Sequence, residues 1–248
     1  MRSSWLFALL LALGFVFVEP AVAQMVPKVV VGVEQAKSPQ EASITLQVVF
    51  LITILSLAPG IMMMMTPFTR IVVVLGFLKK ALGAQTTPPN QIIVGLALFL
   101  TWFVMQPQID EINRTALQPY LAEEIGYKEG LENAMKPMRS FMLRQCGEHE
   151  LAVMVRASKT PRPATVDDIP NAVLIPSYVL SELKTGFIIG FLVYLPFLVI
   201  DMVVASVLMS LGMMMLPPVM VSLPLKLILF VMVDGWTLVT HGLVTSFR

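Results

Sequence analysis

Asp201, Lys226 and Asp234 lie within a stretch, Thr185 to Phe247, that is otherwise almost unbroken hydrocarbon. Charged side chains in an apolar setting are costly, and they persist where they pair, carry protons or line a path. Three chemistries are open to this trio. Asp201 and Lys226 can neutralise one another, as a structural ion pair or as one that also holds or gates the segments carrying it. Asp201 and Asp234 can share a proton as an aspartyl dyad, although no Gly-x-Gly-Asp or Tyr-Asp element accompanies either residue. The carboxylates can also carry protons in a small-solute or ion transporter.

The elements that must position these charges are two apolar arms, Thr185 to Leu211 and Val219 to Phe247, separated by Gly212-Met213-Met214-Met215-Leu216-Pro217-Pro218. A turn centred near Met214 or Met215 puts Asp201 about thirteen residues before it and Lys226 about eleven after it. At about 1.5 Å per residue, both then lie roughly 17–20 Å from the turn, at similar depth. Asp234 lies deeper along the second arm, before Gly235 and Trp236.

Methionine is the other local bias. Met62, Met63, Met64 and Met65 form one cluster and Met213, Met214 and Met215 another, each bracketed by Gly or Pro. Methionine is flexible and polarizable, so it fills irregular core or lipid-facing space. In a Pro-terminated turn, the same side chains can close on one another and still yield to a polypeptide of any sequence.

A mean hydropathy of +0.80, with only 13% charged residues among 248, marks an integral membrane protein. The net charge of +1 gives no basic field for nucleic acid. A single cysteine, Cys146, excludes an internal disulfide, and neither His149 nor His241 has a Cys or His at ligand spacing, so no metal site is expected. With no nucleophile–base pair and no Gly-rich phosphate loop, neither an enzyme nor a cofactor is expected.

Residues 1–23 read as a secretory signal peptide: Arg2, an apolar core from Trp5 to Val18, and Ala21-Val22-Ala23 before Gln24. Residues 24–43 form an exported lead-in. Within 44–109, the first apolar segment covers Leu46 to Met65, with its second half expected to be a broken helix at Pro59-Gly60. Arg70, Lys79 and Lys80 then mark a short basic loop, 70–80, which the positive-inside rule assigns to the cytoplasm. Segment two, Gln91 to Met105, looks short for a span.

Residues 110–172 are polar and are expected outside as a helical domain. The spacing of Leu131, Met135, Met138 and Met142 is helical there, and Pro137 is expected to break or begin that helix. Residues 173–248 form the closing hairpin. The fold class is therefore an all-α membrane protein, built of helical hairpins with four apolar segments and one extracytoplasmic helical domain.

Several long, ordered motifs carry a resemblance. They are Met65-Thr66-Pro67-Phe68-Thr69-Arg70, Phe141-Met142-Leu143-Arg144-Gln145, Ile175-Pro176-Ser177-Tyr178, Ser181-Glu182-Leu183-Lys184-Thr185, Pro196 to Asp201, Gly212 to Pro218, Leu223-Pro224-Leu225-Lys226 and Val233-Asp234-Gly235-Trp236. Together they resemble the FliP family, the P subunits of the flagellar type III export gate, over nearly the whole mature chain. The injectisome relatives are similar, but the signal peptide and the wording of the Met loop favour the flagellar branch. One local departure is Ile188, where the family pattern suggests a polar or charged residue.

The resemblance implies a gate in the bacterial inner membrane, at the flagellar basal body, through which unfolded flagellar proteins are exported. It implies a homo-oligomer, a pentamer, assembled with the FliQ and FliR membrane subunits into a helical pore and working with FlhB and FlhA. Membrane lipid is a further partner. The loop matching Met213, Met214 and Met215 would form a gasket round the pore. Phe141, Arg144, Glu182 and Lys184 would fall in regions of subunit contact or closure.

Overall fold

A computed structural model describes residues 39–83, 88–158, 163, 165–213 and 215–247. The signal peptide and residues 24–38 of the lead-in lie outside the described residues, as does Met214. The helices are α1 (Pro39–Met64), α2 (Phe68–Ala81), α3 (Asn90–Ile112), α4 (Gln118–Leu121), α5 (Tyr127–Gln145), α6 (Glu148–Ala157), α7 (Asn171–Ser210), α8 (Pro218–Met232) and α9 (Gly235–Thr245). A π-helical turn, Asn113–Leu117, joins α3 to α4, and a single 3₁₀ turn, Val166–Asp168, precedes α7. No strand occurs among the described residues. By its contacts the chain divides into residues 1–50 and 51–248. Of the first unit, residues 39–50 are described and are helical; the second holds the core.

Among the described residues, three stretches are long and apolar enough to cross a membrane: Leu46–Met64 with 19 residues, Asn90–Leu121 with 32 and Asn171–Ser210 with 40. About 20 residues suffice for one crossing. The pair α8 and α9, bent by 64° at its break, makes a fourth if counted as one span.

The core of residues 51–248 is organised around α2. Ile71, Val74, Leu75, Leu78 and Ala81 are all fully buried, because this short helix is apolar on nearly every side and is sheathed by α7 and α3. It runs parallel to α7, with Arg70 against Glu182, Val73 against Gly186 and Phe77 against Gly190. A Cβ at Gly190 would come within 2.7 Å of the Phe77 ring, so glycine is what lets the two helices approach. Phe77 also meets Phe187 edge-on at 5.5 Å. One turn before Glu182 on the same face of α7, Phe141 of α5 packs edge-on against the buried Tyr178 at 6.1 Å.

Several expectations are corrected here. The basic "loop" 70–80 is helix α2, and Arg70 is buried rather than exposed to an aqueous face. Helix α1 is not broken at Pro59-Gly60 but runs on to Met64, and it begins at Pro39, within the expected lead-in. Segment two is longer than Gln91 to Met105: α3 continues through Pro107 and Asp110 to Ile112. Pro137 neither breaks nor begins a helix, since α5 passes through it. The second arm of the hairpin is not one rod, because α8 ends at Met232 and α9 starts afresh at Gly235. For α1, α3 and α5 the cause is that proline deletes one backbone bond without ending a helix whose neighbours or apolar setting hold it in place.

Candidate functional site

The turn between α7 and α8 follows from its residues. Gly212 takes φ +74°, the left-handed conformation that glycine supplies at a helix C-terminus. Its amide donates to the Met209 carbonyl at 3.1 Å, and the Met213 amide donates to that of Leu208 at 3.0 Å. Pro218 occupies the first position of α8, where its missing N–H costs nothing. Between them Met215 is 99% exposed and Met213 43%.

Below the turn the two helices are clamped. Lys226 donates from Nζ to Asp201 Oδ2 at 2.6 Å, and the fully buried Ser222 donates from Oγ to Asp201 Oδ1 at 2.6 Å. Ser222 and Lys226 are four residues apart, on one face of α8, so both carboxylate oxygens are taken by the same helix. The Lys226 side chain is 3% exposed and that of Asp201 30%, which makes these charge-assisted bonds in a largely water-free setting. Deeper still, Phe197 packs on Phe230 at 6.2 Å, and Phe230 meets Trp236 edge-on at 5.4 Å.

Asp234 is not part of this clamp. It sits at the α8–α9 break in the left-handed region, φ 49°, and Gly235 follows because any Cβ there would strike the Phe230 ring. Its carboxylate makes no hydrogen bond or ion pair among the described residues. With both oxygens of Asp201 occupied and Asp234 facing a different groove, the structure does not bring the two acids together as a dyad.

Two of the remaining candidate residues are internal. Phe141 is 2% exposed and Glu182 fully buried. Glu182 takes Arg70 in a two-pronged ion pair, Nε donating to Oε2 at 2.9 Å and Nη2 to Oε1. The other two are on the surface: Arg144 is exposed and, among the described residues, reaches only Ser140 Oγ at 3.4 Å, while Lys184 donates to Glu150 Oε1 at 2.7 Å. That hydrogen bond from Lys184 holds the Glu150 carboxyl below its ordinary value. The first Met cluster splits, with Met62, Met63 and Met64 exposed and Met65 buried in the core.

Sequence reasoning missed Ser222 in the clamp and, above all, Arg70. Besides Glu182 it donates to the Ser246 carbonyl at 2.9 Å, to Ser246 Oγ at 3.1 Å and to Gln145 Oε1 at 3.2 Å, and it lies 4.0 Å from the centre of the Phe247 ring. One guanidinium thus ties α2, α5, α7 and the chain's last residues together. Arg70 and Glu182 both stand in motifs already singled out, but 112 residues apart, and only the fold joins them. Cys146, beside this hub, has its thiol pushed up by burial. Among the described residues no three His, Cys, Asp or Glu side chains converge on a metal-binding arrangement.

Long apolar helices, a clamped hairpin with a bare methionine tip and a buried arginine hub define an all-helical protein with several helices able to cross a membrane. The chain belongs to the FliP family, whose model matches residues 51–243. It is 48% identical to the flagellar biosynthetic protein FliP of Bacillus subtilis (strain 168), over 88% of this chain and 98% of that protein. Against the flagellar biosynthetic protein FliP of Pectobacterium carotovorum the identity is 46%, over 96% and 92% of the two chains. For that of Caulobacter vibrioides it is 52%, over 82% and 76%.

Proposed function

We propose that this chain is a structural and gating subunit of the flagellar type III protein export gate in the bacterial inner membrane. In this reading several copies, five by family likeness, join the FliQ and FliR membrane subunits round a pore for unfolded flagellar proteins, with FlhB and FlhA as further partners. Met213, Met214 and Met215 form the seal, and the Asp201–Lys226 pair holds the hairpin that presents it. Residues 1–23 act as a signal peptide and 110–172 lie on the periplasmic side. No catalytic step is assigned to any residue.

The observation that carries the reading is the hairpin itself. A Gly- and Pro-bounded turn leaves Met215 99% exposed, while Lys226 and Ser222 fasten both oxygens of Asp201 below it. A lone side chain so bare on a stiff support is suited to meeting copies of itself. Family membership supports the setting. Replacing Met213, Met214 and Met215 together by alanine should leave the assembly formed but its membrane leaky to small ions. An unchanged ion barrier in an assembled variant removes the gasket role.

A further inference from the structure

The sulfur atoms of the chain stand in different settings. Met65, Met105 and Met142 are buried in the core. Met62, Met64, Met202, Met220 and Met232 are exposed, but on the apolar helices α1, α7 and α8, surfaces that lipid or a neighbouring helix covers in a membrane. Among the described residues, Met213 and Met215 are the exposed methionines outside any helix, and Met215, 99% exposed, is the barest large apolar side chain. Gly212 at φ +74° and the Pro217-Pro218 pair fix the turn that carries them.

The single cysteine is a poorer target for an oxidant. Cys146 is half-buried, its Sγ accepts from Ser181 Oγ at 3.9 Å, and burial pushes its thiol up. Oxidants attack the thiolate, which such a site disfavours. A thioether has no proton to lose, so access alone governs its oxidation.

An oxygen added at the turn would find no side-chain partner there. Gly212 to Pro218 contains no side-chain donor, and neither proline has an amide hydrogen. The amides of Gly212, Met213 and Leu216 are already bonded to backbone carbonyls. A sulfoxide is a strong dipole that has to be hydrogen-bonded, and water is what remains to serve it.

We infer that the turn is a reversible oxidation site: hydrogen peroxide, or another two-electron oxygen donor, converts Met215 and then Met213 to the sulfoxide, and the hydrated turn no longer seals. A sulfur lone pair attacks one peroxide oxygen, an S–O bond forms as the O–O bond breaks, and the displaced hydroxide takes the remaining proton and leaves as water. Sulfur is oxidised by two electrons and the peroxide reduced. Two thiols reverse the step, the oxygen leaving as water and a disulfide forming, through methionine sulfoxide reductases. The selectivity stands on the geometry of the turn; its effect on permeability rests on the methionine seal proposed above.

A hydrogen peroxide pulse on native membranes holding the full chain, followed by peptide mass spectrometry, tests the site. Met215 should be oxidised at least about tenfold faster than Met142, Met220 or Cys146. In reconstituted vesicles, ion leak should rise with Met215 sulfoxide and fall again after methionine sulfoxide reductases with dithiothreitol. Replacing Met213, Met214 and Met215 together by leucine keeps the apolar volume and should keep the barrier while abolishing its response to peroxide. Oxidation of Met215 no faster than that of Met220 or Cys146 would overturn the site. Full sulfoxide at Met215 with an unchanged leak, or an equal rise in the leucine variant, would overturn its effect on the barrier. An unchanged ion barrier in the alanine variant would instead remove the seal itself, and the oxidation rates would still decide the site.

Discussion

Arg70→Ala is expected to be among the most damaging single changes in the chain. Arg70 is 3% exposed and Glu182 fully buried, so truncation strands a carboxylate with no water to solvate it. Breaking a buried pair in this way costs about 3–5 kcal/mol, a large share of a total stability on the order of 5–15 kcal/mol. Thermal midpoints of proteins this size move by about 2–4 °C per kcal/mol, which gives a fall of roughly 6–20 °C. Emission from Trp102 and Trp236 in lipid nanodiscs would follow the transition. The double variant Arg70→Met with Glu182→Leu removes both charges and should recover much of the loss, remaining about 1–3 kcal/mol below the parent because Ser246 and Gln145 lose their donor. The C-terminal residues should also become protease-sensitive in Arg70→Ala, since Ser246 and Phe247 lose their anchor. A midpoint lowered by less than about 2 °C, or a double variant no more stable than the single, would refute the account of the hub as a buried ion pair.

Two further outcomes follow from the remaining pairs. Asp201→Lys or Lys226→Asp alone should abolish assembly on native gels, and the two together should restore it, with Ser222 able to serve either charge because a hydroxyl both donates and accepts; a double variant no better than the singles would show that the pairing is not what matters. Glu150 contributes through a carboxyl held below its ordinary 4.5 by Lys184. That contribution is present above the unfolded-state value and is lost as pH falls through the lowered folded-state value. The stability advantage of the parent over Glu150→Gln, measured as a midpoint difference, should therefore shrink on acidification below about pH 4.5, and a difference constant down to pH 3 would contradict it.

The clamp was legible because it obeys simple arithmetic: two charges at matched distances from a Gly- and Pro-marked turn have one way to meet. The hub was not, because Arg70 beside Lys79 and Lys80 reads as a signal of membrane sidedness, and nothing local says that α2 is the most buried helix of the fold. Its Ile71 to Leu78 run is too short to announce a span, yet it is apolar on every side. Proline misled in the same direction. Pro59, Pro107, Pro137, Pro176, Pro196 and Pro224 all sit inside helices, whereas the one real break in the second arm, at Asp234, carries no proline and is made by an Asp-Gly pair whose aspartate takes the left-handed conformation.

The placement of the clamp also explains why the hairpin needs it. Asp201 stands ten residues before Leu211, about 15 Å of helix from the turn. Over that distance the arms have little of their own to hold them: Val207, Met209, Leu211, Val219 and Met220 are 51%, 58%, 67%, 52% and 73% exposed. Among the described residues of α7 beyond Asp201, Val204 and Leu208 are the buried ones. Without an electrostatic tie such a tip would splay, because apolar contact alone is as well made with lipid or a neighbour as with the other arm. With the tie in place, the base is fixed and the tip stays bare and re-packable, which is the division of labour a methionine seal requires.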